Sequence, residues 1–462
     1  MRYQRVFSVL ILLILLCFSA LASAAPIMNL RTSVSPARVR IVLDSKEPIA
    51  YKVDKEKLRL EVVLPSSAVT KQQGKLKDAA IKSVRLLPNG KDGAKLVIEL
   101  NKECQYKVYQ LPNPHRLVVD LFRINIVKQD KLLAKGVTYS YLQDEMNGRQ
   151  IQAYLVSVEP GARYQLLPFS AVGAYNGRGR VSQFAQQNNL IAAINASYFD
   201  TDGWVIGCIK NQGRMMAMDD EPRSGYVLKN GNPDIVQDIN YYGTLDLSNG
   251  QHLVLKGMNR ARISDDLVLY NSFFAPSTKT NQWGREIKIV NNRVTAISTA
   301  GNMVITPGSS VISGHGASAA ALAQLRVGDR VTISETLGNS AADAAETVVS
   351  GGPLLVEHGR VQVRVAEEKI PADIAKGRAP RTALGIKKDG TLLMVVVDGR
   401  SNNSAGLTLT ELATYMLRLG AREAVNFDGG GSSVMAINGQ VVNKPSDGRE
   451  RSVSVGLGLF PR

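Results

Sequence analysis

The chain has 462 residues, a formal net charge of +16 and 44% apolar residues. That length suggests two or three domains at about 150 residues each, with cores large enough to stand without covalent staples. Of its three cysteines only Cys104 and Cys208 lie beyond the first two dozen residues, which excludes a disulfide framework.

Residues 1–24 read as a secretory signal peptide. Arg2 and Arg5 make a basic start, Val9 to Leu16 an apolar run too short to span a bilayer, and Ala22-Ser23-Ala24 a cleavage site. No later run reaches about 18 apolar residues, so no transmembrane span is expected in the mature chain. An exported location (cell wall, periplasm or extracellular) removes nucleic acid from the partners a +16 surface could serve. It points to anionic envelope polymers, such as phosphate-bearing polysaccharides, or equally to a basic surface that only aids solubility.

Residues 29–126 read as an all-β sandwich. Val39-Arg40-Ile41-Val42-Leu43, Leu58 to Val63, Leu96 to Leu100 and Leu117 to Leu121 alternate or run apolar. Turn signals such as Pro88-Asn89-Gly90 and Pro112-Asn113-Pro114 separate them. Residues 127–136, polar and basic, read as a linker. A hairpin is predicted next, with Thr138 to Leu142 facing Gln150 to Val156 across Asn147-Gly148, a pair that favours a type I′ turn. The region 225–345 is strand-rich. A helix is predicted where Thr408 and Glu411 form a capping box, Leu409, Leu412, Met416 and Leu419 make one apolar stripe, and Gly420 suits the position just past the end. The apolar strand before it ends at Asp398-Gly399-Arg400, and the strand after it leads to Asp428. If the helix is a crossover, these strands are parallel and both aspartates emerge at one sheet edge. The fold class is α+β, a strand-rich domain with mixed sheet and few helices over 137–462, preceded by the sandwich.

The densest signal is Asn426-Phe427-Asp428-Gly429-Gly430-Gly431-Ser432-Ser433. Three glycines stabilise no regular element but let a ligand approach main-chain N–H groups, beside an acid and two hydroxyls. Other candidate segments are Asn195 to Asp200, Ser313-Gly314-His315-Gly316, Ser350-Gly351-Gly352-Pro353, Arg381-Thr382-Ala383-Leu384-Gly385, Asp398-Gly399-Arg400 and, more weakly, Asp447 to Arg451. Singly, each is a common turn. Together, arginine forks and clustered N–H groups suit phosphate oxygens, and paired carboxylates suit a glycosidic carbon. No nucleotide P-loop, serine-hydrolase elbow or zinc spacing is present. No metal site and no cofactor are assigned, a divalent cation being left open.

In matching order from about 137 to 462, these segments resemble the phosphodiester glycosidase family. Ala196-Ser197 replaces the Gly-Gly or Gly-x usual there. The resemblance implies cleavage of a sugar-1-phosphodiester, releasing sugar and a phosphomonoester. On it, Asp428 is the nucleophile or general base at the anomeric carbon and Asp398 orients it, positions water or binds sugar hydroxyls, or the two aspartates exchange these roles. Arg381, with His315, Arg400 and the N–H groups of Gly429, Gly430 and Gly431, stabilises the departing phosphate. Asn195 and Ser432 hold the sugar, and Thr382, Asn426 and Ser433 join the substrate-binding set. The alternatives are a phosphodiesterase that cuts P–O in wall polymers and a non-catalytic wall-binding protein. Residues 29–126 resemble the AMIN domain through Val39 to Leu43, Val84-Arg85-Leu86 and Tyr106-Lys107-Val108 with Leu117 to Phe122. That likeness implies targeting to the envelope through peptidoglycan.

Overall fold

The structure, a computed structural model, describes residues 27–34, 38–65, 67, 69–76, 78, 80–102, 104–123, 127–170, 177–219 and 221–462. The expected signal peptide, 1–24, lies outside the described residues. The chain divides into two compact units, residues 1–125 and 126–462.

In the first unit, alternation makes sheets with one buried face. Along Arg38–Ser45 every second residue is buried, as a half-exposed strand requires. One sheet runs in the order Ile27–Val34, Arg38–Ser45, Arg116–Arg123, Cys104–Leu111. A second runs Lys52–Glu56, Arg59–Leu64, Ala94–Leu100, Ile81–Pro88, Gln72–Gln73. Ile41, Leu43, Leu117 and Val119 of the first sheet share a core with Leu60, Val62, Leu86 and Leu96 of the second. The result is a two-layer sandwich.

The second unit is built on an eight-stranded sheet. Its strands are β1 (Val127–Ala134), β2 (Val137–Met146), β3 (Arg149–Val158), β4 (Leu354–Glu357), β5 (Arg360–Val361), β6 (Arg381–Lys387), β7 (Leu392–Val397) and β8 (Ala421–Phe427). The spatial order is β1-β2-β3-β7-β6-β8-β4-β5, every neighbour antiparallel. The stretch 127–136, expected as a linker, is therefore mostly the edge strand β1. Its lysines suit an exposed edge, while Leu133 and Ala134 pack on the core. The β2–β3 hairpin turns at Asn147 and Gly148, both at positive φ (53° and 79°), as a type I′ turn demands.

Helix α1 (Leu409–Arg418) carries the capping box predicted for it: the Thr408 hydroxyl accepts from the Glu411 N–H while the Glu411 carboxylate accepts from the Thr408 N–H. Leu409, Leu412, Tyr415 and Met416 bury its apolar stripe in one core with Leu355 and Val356 of β4, Ala424 of β8 and Leu393, Val395 and Val397 of β7. The opposite face of β7, Leu392, Met394 and Val396, packs against Ile194, Met435 and Leu457 of a second, five-stranded sheet. Burial on both faces explains why β7 is continuously apolar, where a one-sided strand would alternate.

α1 joins β7 to β8, but β6 lies between them and is antiparallel to both. The two aspartate strands therefore run parallel without pairing, and both end at the sheet edge where β6 begins with Arg381. Residues 223–350 supply smaller sheets with their own core, including Leu245, Leu269, Ile287, Ile312 and Val331. Of the described residues 51% are in strands and 9% in helices. Among the described residues no helix is long and apolar enough to cross a membrane.

Candidate active site

The glycine loop leaves β8 and is clamped from beneath. The Asp428 N–H donates to the Ala196 carbonyl at 3.0 Å, and Asn195 Nδ2 donates to the Asp428 carbonyl at 2.7 Å. Asn195 Oδ1 accepts from the Thr382 hydroxyl at 2.8 Å and the Val434 N–H at 3.1 Å. Gly430, at φ +61°, donates to the Pro380 carbonyl at 2.8 Å. A side chain at Gly429 would press its Cβ to 2.8 Å from that same carbonyl. The run of glycines is thus what lets the loop lie on the chain that leads into β6.

Ser350-Gly351-Gly352-Pro353 proves to be a support for the same loop. The Gly352 N–H donates to the Asn426 carbonyl at 2.8 Å, and the Asn426 N–H donates to the Pro353 carbonyl at 3.1 Å. A Cβ on Gly351 would meet the Phe427 ring at 2.6 Å. Asn426 Nδ2 donates to Tyr198 Oη at 2.8 Å and to the Gly352 carbonyl at 2.9 Å.

Asp428 stands where two clefts meet. One, of about 660 Å³, is lined by Arg178, Arg180, Asp200, Asp428, Ser432, Asp447, Arg449 and Arg451, among others. The other, of about 290 Å³, is lined by Tyr198, Arg378, Arg381, Arg400, Gly429, Gly430, Gly431 and Arg451, again with Asp428. The surrounding protein pushes the Asp428 carboxyl up to about 6, opposed by the Ser432 hydroxyl, the Gly429 N–H and the charge of Arg451. Burial likewise raises the Tyr198 phenol, with the Asp428 charge adding to it.

The smaller cleft is cationic by construction. Arg381 is buried, and its Nε and Nη2 donate only to carbonyls: Leu407 at 2.8 Å, Ile374 at 2.8 Å and Gly377 at 2.6 Å. Burial lowers its pKa, and among the described residues no carboxylate forms an ion pair with it. Among the described residues no ion pair engages Arg400 either, whereas Arg378 pairs with Glu411 and Arg451 with Asp447.

Several predicted residues sit elsewhere. Asp398 is buried and lines neither cleft. Its carboxylate accepts from Tyr154 Oη at 3.0 Å, Asn443 Nδ2 at 3.2 Å and the Lys444 N–H at 3.0 Å. Burial raises its pKa against those donors. Asn443 Nδ2 also donates to the Ser433 carbonyl at 3.1 Å, so Asp398 positions the far end of the glycine loop and does not face the cleft. Asn195, Thr382 and Asn426 spend their side chains on protein partners behind the loop, and Ser433 is fully buried with them. None of the four lines either of these two clefts. Among the described residues the Asn426 Oδ1 and Ser433 Oγ atoms lack hydrogen-bond partners. His315 follows the strand Ser310–Gly314 in the 223–350 region, where its Nδ1 accepts from the Asp265 N–H at 3.1 Å, and it too lines neither cleft. Sequence spacing cannot tell the outward from the inward face at these positions. Arg178, Arg180, Tyr198 and Arg378 were missed as site residues. Asp447 and Arg451 were visible only as a weak motif. Among the described residues no cluster of three or more metal-ligating side chains occurs.

Comparison with known proteins fits this geometry. The phosphodiester glycosidase family profile matches residues 284–460, the span that carries Arg381, Arg400 and the whole glycine loop. Over residues 284–460 the chain is thus similar to a phosphodiester glycosidase domain. The SPbeta prophage-derived uncharacterized protein YomE of Bacillus subtilis is 46% identical over 74 residues, 16% of this chain and 12% of that protein. Bovine N-acetylglucosamine-1-phosphodiester alpha-N-acetylglucosaminidase is 39% identical over 67 residues, 14% of this chain and 12% of its own length. The chain thus spans about an eighth of these relatives. The fold is shared with a hypothetical protein from Synechocystis (TM-score 0.65, 22% identity, 95% of this chain and 81% of that one). It is also shared with a protein from Burkholderia pseudomallei described as exported (TM-score 0.60, 21% identity, 90% and 97%).

Proposed function

We propose that this protein hydrolyses a glycosyl 1-phosphodiester, of N-acetylhexosamine type, in an exported envelope polysaccharide or glycoconjugate. The observation that carries the reading is Asp428, a carboxyl held near 6 at the junction of two clefts, one of which presents Arg381 and Arg400 without acid partners. Water adds across the bond between the anomeric carbon and the bridging oxygen. The sugar gains the hydroxyl, and the phosphate departs as a monoester with the bridging oxygen. A phosphate is a good leaving group, so the main requirement is charge stabilisation, which Arg381, Arg400 and the N–H groups of Gly429 to Gly431 supply. Asp428 acts in its ionised form at the anomeric carbon. Asp398 positions the loop through Asn443 and Ser433. The export signal over 1–24 supports action outside the cytoplasm, and residues 29–126 hold the enzyme to peptidoglycan.

Hydrolysis of methyl α-N-acetylglucosamine-1-phosphate in ¹⁸O-water tests this. Label in the free sugar is the expected result. Label in the phosphate would establish P–O cleavage instead, and binding without release would leave a non-catalytic wall protein.

A further inference from the structure

The sequence contains two tryptophans, Trp204 and Trp283, and Trp204 lines a cleft outside the site described above. The cleft, of about 290 Å³, is lined by Trp204, Arg262, Phe274, Lys279, Thr280 and Asn281, among others. The Trp204 and Phe274 rings stack at 5.6 Å and 10°, with Tyr270 edge-on to Phe274 at 4.8 Å. Lys279 Nζ lies 6.0 Å over the Phe274 ring. Trp283 is 67% exposed, with its carbonyl accepting from Arg262 Nη2 at 2.9 Å. Ile263 and Val304, on the segments that bound the cleft, are 64% and 59% exposed. Large apolar side chains clustered at the surface mark a binding face more often than chance exposure does.

The polar groups are of one kind. Arg262 donates to Ser313 Oγ and Asn281 Oδ1, both neutral, at 2.7 and 2.8 Å. Among the described residues no ion pair engages Arg262 or Lys279. Glu286, buried behind the cleft, is taken by the Thr280 hydroxyl and the Met303 N–H. The cleft also adjoins the larger active-site cleft. Asp200, which lines that cleft, exchanges two hydrogen bonds with Trp204: its N–H donates to the Trp204 carbonyl at 3.0 Å and its Oδ1 accepts from the Trp204 N–H at 2.8 Å.

We propose that this second cleft binds a pyranose ring of an anionic glycan. The aromatic wall packs on the apolar C–H face of the sugar, as flat rings favour. Arg262, Lys279 and Asn281 meet its hydroxyls and an acidic substituent. The cleft thereby holds the polymer beyond the bond being cut, and in that respect it rests on the glycosidase reading. The capacity to bind sugar does not.

The test uses the full chain carrying Asp428→Asn, titrated with a hyaluronan tetrasaccharide (acidic) and with chitotetraose (neutral) while tryptophan emission is followed. Of the two tryptophans Trp204 lines the cleft, so a saturable emission change that Lys279→Ala weakens is assigned to it. The expected result is saturable binding of the acidic probe, weakened about tenfold by Trp204→Ala. Lys279→Ala, at an exposed side chain, is expected to weaken the acidic probe several-fold and leave the neutral one unchanged. It decides the matter if Trp204→Ala fails to fold. No spectral change with either probe, or unchanged acidic-probe binding in Lys279→Ala, would overturn the proposal. In a background with Asp428 intact, Trp204→Ala and Lys279→Ala are expected to turn over methyl α-N-acetylglucosamine-1-phosphate at the parental rate. Absence of that turnover in the unmodified chain, with saturable probe binding retained, would sink the glycosidase reading and leave the cleft standing.

Discussion

At the scale of single residues the site rests on one carboxyl. Its ordinary value is 3.8 and burial brings it to about 6 in the fold. A group whose pKa rises on folding is bound by a proton more tightly in the folded state. The cost of burying its charge is therefore absent below about pH 4, grows between pH 4 and 6, and is complete above 6. Asp428→Asn removes that cost. At one pKa unit per 1.36 kcal/mol, discounted for partial solvent access, the variant should be about 1–2 kcal/mol more stable at pH 7.5. Thermal melts at pH 7.5 and pH 4 check this, since the advantage must vanish at the lower pH. The same substitution should lower turnover by about 10²–10⁴. In the unmodified enzyme kcat/KM should rise with pH through about 6 and level off, as required of a carboxylate acting ionised. A profile that instead falls above 6 would make Asp428 a general acid.

Residue chemistry was also where the sequence was least complete. Asp428, Arg381, Arg400 and the glycines stood out in the sequence because an acid, arginines and a glycine run have few structural uses in combination, and the structure places them together along one cleft. Asn195, Thr382, Asn426 and Asp398 belong to the same motifs but point inward, because a motif records proximity and not direction. Asn195→Ala would strand the Thr382 hydroxyl and the Asp428 carbonyl, both tied to Asn195. It should cost about 1–3 kcal/mol of stability, read as a lowered denaturant midpoint, whereas a sugar-binding residue would change KM alone.

At the scale of elements, helix α1 and the strands around it were legible from capping, stripe and run. What spacing could not show was the insertion of β6 between β7 and β8. Sheet order is set by contacts distant in sequence, here the pairing of Arg381–Lys387 with both neighbours. The interposed strand is what delivers Arg381 between the two acids. The capping box gives a test that separates fold from function. Glu411 both caps α1 and pairs with Arg378 in the cleft wall. Thr408→Ala should cost about 1 kcal/mol of stability and leave kcat/KM nearly unchanged. Glu411→Ala should lower stability similarly and raise KM for the diester as well, because Arg378 loses its anchor. Equal KM in the two variants would mean that Arg378 does not shape the cleft.

At the scale of the whole molecule there is one division, between residues 125 and 126. Its position was blurred because lysine-rich β1 looks like a linker, although it pairs with β2 over most of its length. The consequence concerns where stability and chemistry reside. The core around Ile41, Leu60 and Leu96 belongs to residues 1–125, and those around Val156, Leu393 and Ile312 to residues 126–462. Asp428 and both active-site clefts are built wholly from the second unit. A chain of residues 126–462 alone, at 337 residues, exceeds the size at which a core needs staples. It should melt cooperatively and hydrolyse a small sugar-1-phosphodiester with kcat/KM within about threefold of the full chain, since the groups that stabilise the departing phosphate all remain. Retention on sedimented peptidoglycan should fall sharply in the same truncation. A truncated chain that melts normally but has lost turnover on the small diester would show that residues 1–125 complete the active site.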